Sequence, residues 1–209
     1  MDTITIALAK GRTADSTISL LEEAGIHFPD FSPKSRKLVF HNNDRSVKLI
    51  FVKAVDVPTY VEKGAADIGV AGKDNILESE ADVYEILDLK IGKCHFAVAG
   101  KPETRLEGSQ RLTIASKYPT VAMKHFQKKG IPAETIKLNG SVELAPLIGL
   151  ADVIVDIVET GTTLRENGLE VIEEIESIST RLIVNKASFT TRSAAIHELI
   201  NKLKSVMER

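Results

Sequence analysis

"VIVDIVETGTTL" (residues 153–164) begins as a run of β-branched apolar residues and ends in a turn of threonines around one glycine. A short apolar run closed by turn residues and followed by a helix start reads as a buried strand of a parallel sheet, covered on both faces. The stretch therefore predicts an α/β fold. It also carries two carboxylates, Asp156 and Glu159, where such a strand would otherwise be apolar.

The same grammar repeats on both sides. Strand-like runs at residues 3–9, 47–54, 66–72, 93–100, 113–116, 134–138, 152–158 and 181–189 alternate with helical segments. Residues 13–25 carry Ile18, Leu21 and Ala24 at helical spacing, with Gly25 closing the turn. Asp56 and Pro58 open the next helix, and Gly64 ends it. Pro119 and Gly130 bracket another, and a short one is centred on Pro146. A last helix shows Ile196, Leu199, Ile200, Leu203 and Val206 as one apolar stripe. Strands separated by helices imply mostly parallel sheets. The pattern restarts near Ile91, which predicts two lobes. One comprises residues 1–90 plus 182–209, the other residues 91–181, with crossings near 88–96 and 180–187.

Composition narrows the function. A chain of 209 residues with 43% hydrophobic and 27% charged residues has the make-up of an ordinary globular protein. A formal net charge of −2 argues against a nucleic-acid or membrane-surface binder. One cysteine, Cys94, cannot form an internal disulfide. No window approaches a membrane span, and the first residues lack a secretion signal. A cytoplasmic location is expected.

Three strand ends carry candidate chemistry. A buried carboxylate must be hydrogen-bonded. Asp156 can take such bonds from a neighbouring loop, or, near a carboxyl-terminal sheet edge, from sugar hydroxyls. The turn Thr160-Gly161-Thr162-Thr163 offers backbone N–H groups, hydroxyls and a helix start, which suit a phosphate. An ordinary loop with a threonine cap would look similar. Acids beside a phosphate turn point to a sugar phosphate. Lys10-Gly11-Arg12 and Gly72-Lys73-Asp74 close two other strands, and cations there suit a polyphosphate. Arg36 lies in the basic cluster "PKSRK" (residues 33–37). Neither the nucleotide-binding P-loop nor the dinucleotide glycine fingerprint is present, and no Cys/His cluster is evident. The five histidines are scattered. Any metal is expected to be Mg²⁺ carried by phosphates.

The segments "LAKGR", "DVPTYVEKGAADIGVAGKD", "GKCHFAVA", "NGSVELAPLIGLADVIVDIVETGTTL" and "RLIVNKAS" closely resemble the ATP phosphoribosyltransferase family. The resemblance implies transfer of a phosphoribosyl group from phosphoribosyl pyrophosphate to N1 of ATP, with Mg²⁺, as the first step of histidine biosynthesis. It implies a two-lobed fold like type II periplasmic binding proteins, with a central cleft. The chain length resembles the short form, without a C-terminal regulatory domain. Such forms work with a regulatory subunit resembling histidyl-tRNA synthetase, as a hetero-octamer.

On this reading Thr160, Gly161, Thr162 and Thr163 hold the 5′-phosphate. Asp156 and Glu159 take the ribose hydroxyls, and Glu143 shares that role or touches metal. Lys10, Arg12 and Arg36 meet the pyrophosphate or the ATP phosphates, while Gly11, Gly72, Lys73 and Asp74 line the ATP side. Type I phosphoribosyltransferases carry two adjacent acids before Thr-Gly-Gly-Thr; here the acids are three apart and the turn differs, so roles are not transferred from that family. Two rivals remain: a non-catalytic small-anion or nucleotide-binding module of the same fold, and a phosphoribosyltransferase with another acceptor.

Overall fold

The computed structural model describes residues 3–106 and 111–209. In chain order the strands are β1 (Ile4–Ala9), β2 (Val39–His41), β3 (Val47–Val52), β4 (Ile68–Gly72), β5 (Tyr84–Asp88), β6 (Cys94–Gly100), β7 (Leu112–Ser116), β8 (Ala133–Lys137), β9 (Val153–Val158), β10 (Glu170–Ile178) and β11 (Thr180–Val184). The helices are α1 (Arg12–Glu23), α2 (Val57–Glu62), α3 (Lys73–Ser79), α4 (Pro119–Lys128), α5 (Leu144–Leu147), α6 (Thr162–Glu166), α7 (Lys186–Thr191) and α8 (Ser193–Met207). The chain divides into two units, Met1–Gly92 with Ser179–Arg209, and Lys93–Ile178.

The first unit holds a six-stranded sheet in the order β2-β3-β1-β4-β11-β5. Alternation along β1 decides which helices cover each face. Ile4, Ile6 and Leu8 join a core with Ala14, Ile18 and Leu21 of α1 and with Ile196, Leu199, Ile200 and Leu203 of α8. Ala7 faces the other way, into a cluster with Val57 and Val61 of α2 and Ile76 of α3. Successive side chains of a strand point to opposite faces, so a strand buried on both is apolar at nearly every position, and β1 departs from this at the buried Thr5. A carboxylate locks this unit. Asp67, 5% exposed, accepts from Thr5 N–H (2.8 Å), Ser188 Oγ (2.7 Å) and Arg192 Nη1 (2.9 Å). It thereby ties the α7–α8 junction to the sheet.

The second unit holds a five-stranded sheet in the order β10-β6-β9-β7-β8, with β9 in the middle. The α/β layering matches expectation, but the sheets are mixed rather than mostly parallel. Among the described strands, β1–β3, β1–β4, β7–β8 and β7–β9 pair parallel. The pairs β2–β3, β4–β11, β5–β11, β6–β9 and β6–β10 are antiparallel. An apolar run reads the same in either direction, so the pattern could not report strand polarity.

Two further readings change. The strand expected over residues 181–189 stops at Val184, because the Asn185 side chain accepts from Ser188 N–H (2.9 Å) and caps α7. Strands β2, β5 and β10 and helix α3 carry no clear sequence signal. In β10, glutamates occupy positions 170, 173, 174 and 176 of an edge strand. Charge there blunts edge-to-edge pairing, at the cost of a weak strand signature.

Candidate active site

Strand β9 delivers the two acids and the turn. Ile154 and Val158 lie in a cluster with Val142 and Ala145 of the α5 segment and Leu164 of α6. Asp156 shares their parity, so it emerges on the face that these segments cover. Strand β7 ends its pairing with β9 at Ser116, opposite Val155, which leaves Asp156 beyond the end of that neighbour. Asp156 is half-buried, and its Oδ1 accepts from Ile157 N–H at 2.8 Å. Glu159 lies past the strand end and is exposed. The same apolar cluster brings Glu143, which precedes α5, to the β9–α6 side of this unit.

The turn itself is built around Gly161, whose φ of 69° and ψ of 9° are left-handed. Thr160 Oγ1 and Thr162 Oγ1 are hydrogen-bonded at 3.0 Å, and Thr162 N–H donates to Thr160 Oγ1 at 3.4 Å. Thr160, Thr162 and Thr163 are all exposed. Arg165, absent from the sequence expectation, folds back over the turn. It donates from Nη1 to the Thr160 carbonyl (2.9 Å) and from Nη2 to Thr162 Oγ1 (3.1 Å). Its one signal in sequence is the spacing of three from Thr162, which places it above the preceding turn.

In the first unit, β3, β1 and β4 run parallel and end at one edge. Ala9 pairs with Val52 and Ile6 with Ile68, so extending the register sets Lys10 between Lys53 and Gly72. Lys53 was not anticipated, since only the register reveals it. Lys10 Nζ donates to the Ser35 carbonyl at 2.6 Å and lies 5.8 Å from the Phe51 ring centre. That contact moors the segment carrying Arg36, which is itself exposed. Gly11 precedes α1, and Arg12 is its first residue. A cation at a helix amino terminus opposes the helix dipole. Lys10 and Arg12 together thus leave a positive corner that an anion would relieve.

A side chain on Gly72 would displace the Asp74 carboxylate. A Cβ there would fall 2.1 Å from Asp74 Oδ1, because the Asp74 carboxylate turns back over the start of α3. Lys73 bonds Glu85, which also pairs with Arg181 Nε at 3.4 Å; Arg181 Nη1 reaches Asp88 at 3.1 Å. Burial pushes the Asp88 carboxyl up, but hydrogen bonds from Ser179 Oγ and Lys90 N–H, with Arg181 nearby, hold it below the usual carboxylate range. Lys73 is therefore held within this ion-pair network. The structure groups Lys10, Gly11, Arg12, Arg36, Gly72, Lys73 and Asp74 in one unit. It groups Glu143, Asp156, Glu159 and residues 160–163 in the other.

Comparison with known proteins decides the family. The model of the family described as ATP phosphoribosyltransferase matches residues 53–205. The chain belongs to the ATP phosphoribosyltransferase family. A relative of that name from Oceanobacillus iheyensis is 62% identical over 207 residues, covering 99% of this chain and all of the relative. Among solved structures, the ATP phosphoribosyl transferase (HisG:HisZ) complex from Thermotoga maritima has a chain 35% identical, with TM-score 0.87 and 99% of each chain covered. The substrate binding protein of an amino acid ABC transporter is 14% identical, with TM-score 0.60, covering 99% of this chain and 94% of that one. That likeness concerns fold alone and bears out the periplasmic-binding-protein-like expectation. Lys10, Arg12 and Arg36 precede the matched residues 53–205, but the Oceanobacillus alignment leaves out only 1% of this chain.

Proposed function

We propose that the protein transfers the 5-phosphoribosyl group from phosphoribosyl pyrophosphate to N1 of ATP, giving phosphoribosyl-ATP and pyrophosphate in the first step of histidine biosynthesis. The observation that carries this reading is 62% identity to an ATP phosphoribosyltransferase over 207 residues. In the reaction the adenine N1 lone pair forms a bond to the anomeric carbon. The carbon–oxygen bond to pyrophosphate breaks, and its electron pair leaves with the pyrophosphate. Since N1 is already a nucleophile, the step needs no strong general base. The larger demand is stabilisation of charge on the leaving group.

The Thr160–Thr163 backbone and hydroxyls bind the 5′-phosphate, with Gly161 allowing close approach. Asp156 and Glu159 orient the ribose hydroxyls. Lys10, Arg12 and Arg36 bind pyrophosphate or ATP phosphates; Gly11, Gly72, Lys73 and Asp74 shape the ATP side. Among the described residues no three His, Cys, Asp or Glu side chains are placed to hold a metal ion. Glu143 would share the ribose-hydroxyl role or offer a hard oxygen ligand to Mg²⁺ carried in on the substrate phosphates, and the ion would supply neutralisation of charge on the leaving group.

Similarity to a chain of the Thermotoga HisG:HisZ complex supports a HisZ-like partner; the proposal is that this partner is a regulatory subunit resembling histidyl-tRNA synthetase, assembled with the chain as a hetero-octamer. The proposed biosynthetic role places its work in the cytoplasm; separately, among the described residues no helix is long and apolar enough to cross a membrane.

The test is to mix the protein with ATP, Mg²⁺ and phosphoribosyl pyrophosphate, with and without the partner subunit, and follow adduct and pyrophosphate. Adduct formation is expected. Binding without turnover in both mixtures, or turnover with adenine but not ATP, would overturn the proposal.

A further inference from the structure

We propose that Arg165 is a positioning residue that orients the hydroxyls of Thr160 and Thr162 toward a bound phosphate. This rests on the phosphate reading of the turn and adds a component to it. The argument is a count of protons. A guanidinium only donates. Arg165 Nη2 lies 3.1 Å from Thr162 Oγ1, so that oxygen accepts from it. The two hydroxyls carry two protons, and one is used in the 3.0 Å bond between them. The other has to point away from the pair. The 3.1 Å charge-assisted bond from Arg165 polarises the Thr162 O–H more than the long 3.4 Å N–H contact polarises that of Thr160, which makes Thr162 the stronger donor of the pair. Thr162 then donates to Thr160, and the Thr160 proton faces outward. The chain runs from Arg165 through Thr162 and Thr160 to the anion, with each donor polarised by the one behind it.

The same guanidinium fixes the backbone. Its Nη1 donates to the Thr160 carbonyl at 2.9 Å, so one rigid fork grips both ends of the Gly161 turn. A Cβ on Gly161 would meet Nη1 at 3.1 Å, so the glycine also gives Arg165 room to cross. Arg165 is exposed and outside the buried core of its unit, so its substitution leaves the core intact. A lysine offers the charge without the fork. A glutamine offers neither the charge nor a donor-only group, and its carbonyl can take the proton meant for the ligand.

The test uses ribose 5-phosphate as probe and calorimetric Kd as readout, on the full chain. Arg165→Gln should weaken binding about tenfold, in line with loss of a charge-assisted hydrogen bond. Arg165→Lys should recover part of that. Thr162→Val should also weaken binding, and adding Arg165→Gln to it should cost much less than tenfold more, because the relay is already broken. If Thr162→Val weakens binding but Arg165→Gln does not, the Arg165 role fails and the phosphate turn stands. If the two substitutions are fully additive, Arg165 acts as a general charge and the relay is refuted. If neither changes Kd, the phosphate reading falls and the proposal with it.

Discussion

Replacing Gly161 by alanine probes the turn at its most constrained point. Residue 161 has φ 69° and ψ 9°, a left-handed conformation that costs an ordinary L residue roughly 1–2 kcal/mol. The new methyl would also stand 3.1 Å from Arg165 Nη1 and force the guanidinium to shift. The free turn can relax out of the left-handed region, because its residues lie at or near the surface. Binding has to restore the strained form, so the strain appears in affinity. About 1–2 kcal/mol corresponds to a five- to thirtyfold rise in KM for phosphoribosyl pyrophosphate. KM for ATP should move much less.

The control is Gly130→Ala. Gly130 has φ 68° and follows the end of α4, with no neighbour within 4 Å of where a Cβ would stand. It carries the same backbone strain at a place remote in sequence from the turn. Initial rates are measured while phosphoribosyl pyrophosphate is varied at saturating ATP. An unchanged KM in Gly161→Ala would refute the reasoning. So would an equal rise in Gly130→Ala.

Three other outcomes are expected. Asp67→Ala orphans the buried Thr5 N–H and unpairs Arg192, which is 35% exposed. The expected loss is about 3 kcal/mol, the low end for breaking a buried pair. That is a fall in Tm of roughly 6–12 °C by circular dichroism, and a Tm within about 2 °C of the parent contradicts the lock assigned to Asp67. Arg12→Ala should lower kcat/KM for ATP about ten- to a hundredfold, the range for a charged hydrogen bond in the transition state; wild-type kinetics would mean Arg12 is merely solvated. Burial lowers the His125 pKa, more than Glu173 nearby raises it. The fold therefore prefers neutral His125, and its contribution is complete above the ordinary histidine value near 6.5 and declines as pH falls below it. The urea midpoint should drop between about pH 7.5 and 5.5, and His125→Gln should shrink that drop; an identical drop in the variant excludes His125 as its source.

Much of the architecture was legible because it follows local periodicity. The stripe of Ile196, Leu199, Ile200 and Leu203 and the runs of β1, β4 and β9 announce themselves through spacing. What stayed hidden depends on partners distant in sequence. Strand β10 is disguised by glutamates that only an edge position tolerates. Helix α7 is held from afar, by Asn185 Nδ2 donating to the Val61 carbonyl (2.8 Å) and Ser188 Oγ donating to Asp67 (2.7 Å), in addition to its local cap.

For the site, residue types alone nominated the Thr160–Thr163 turn with Asp156 and Glu159, since acids beside a hydroxyl-rich glycine turn are chemically distinctive at a strand end. Lys53 and Arg165 were silent, because a lysine after a strand and an arginine on a short helix are commonplace. Strand register puts Lys53 in a row with Lys10 at the edge where β4 also ends, and the fold of α6 lays Arg165 across the turn. Lys73 shows the converse: nominated by its neighbours in sequence, it is bonded to Glu85 of β5, two places away across the sheet. Local chemistry is carried by the order of residues, whereas strand direction, neighbour identity and the pairing of charges arise only when distant segments meet.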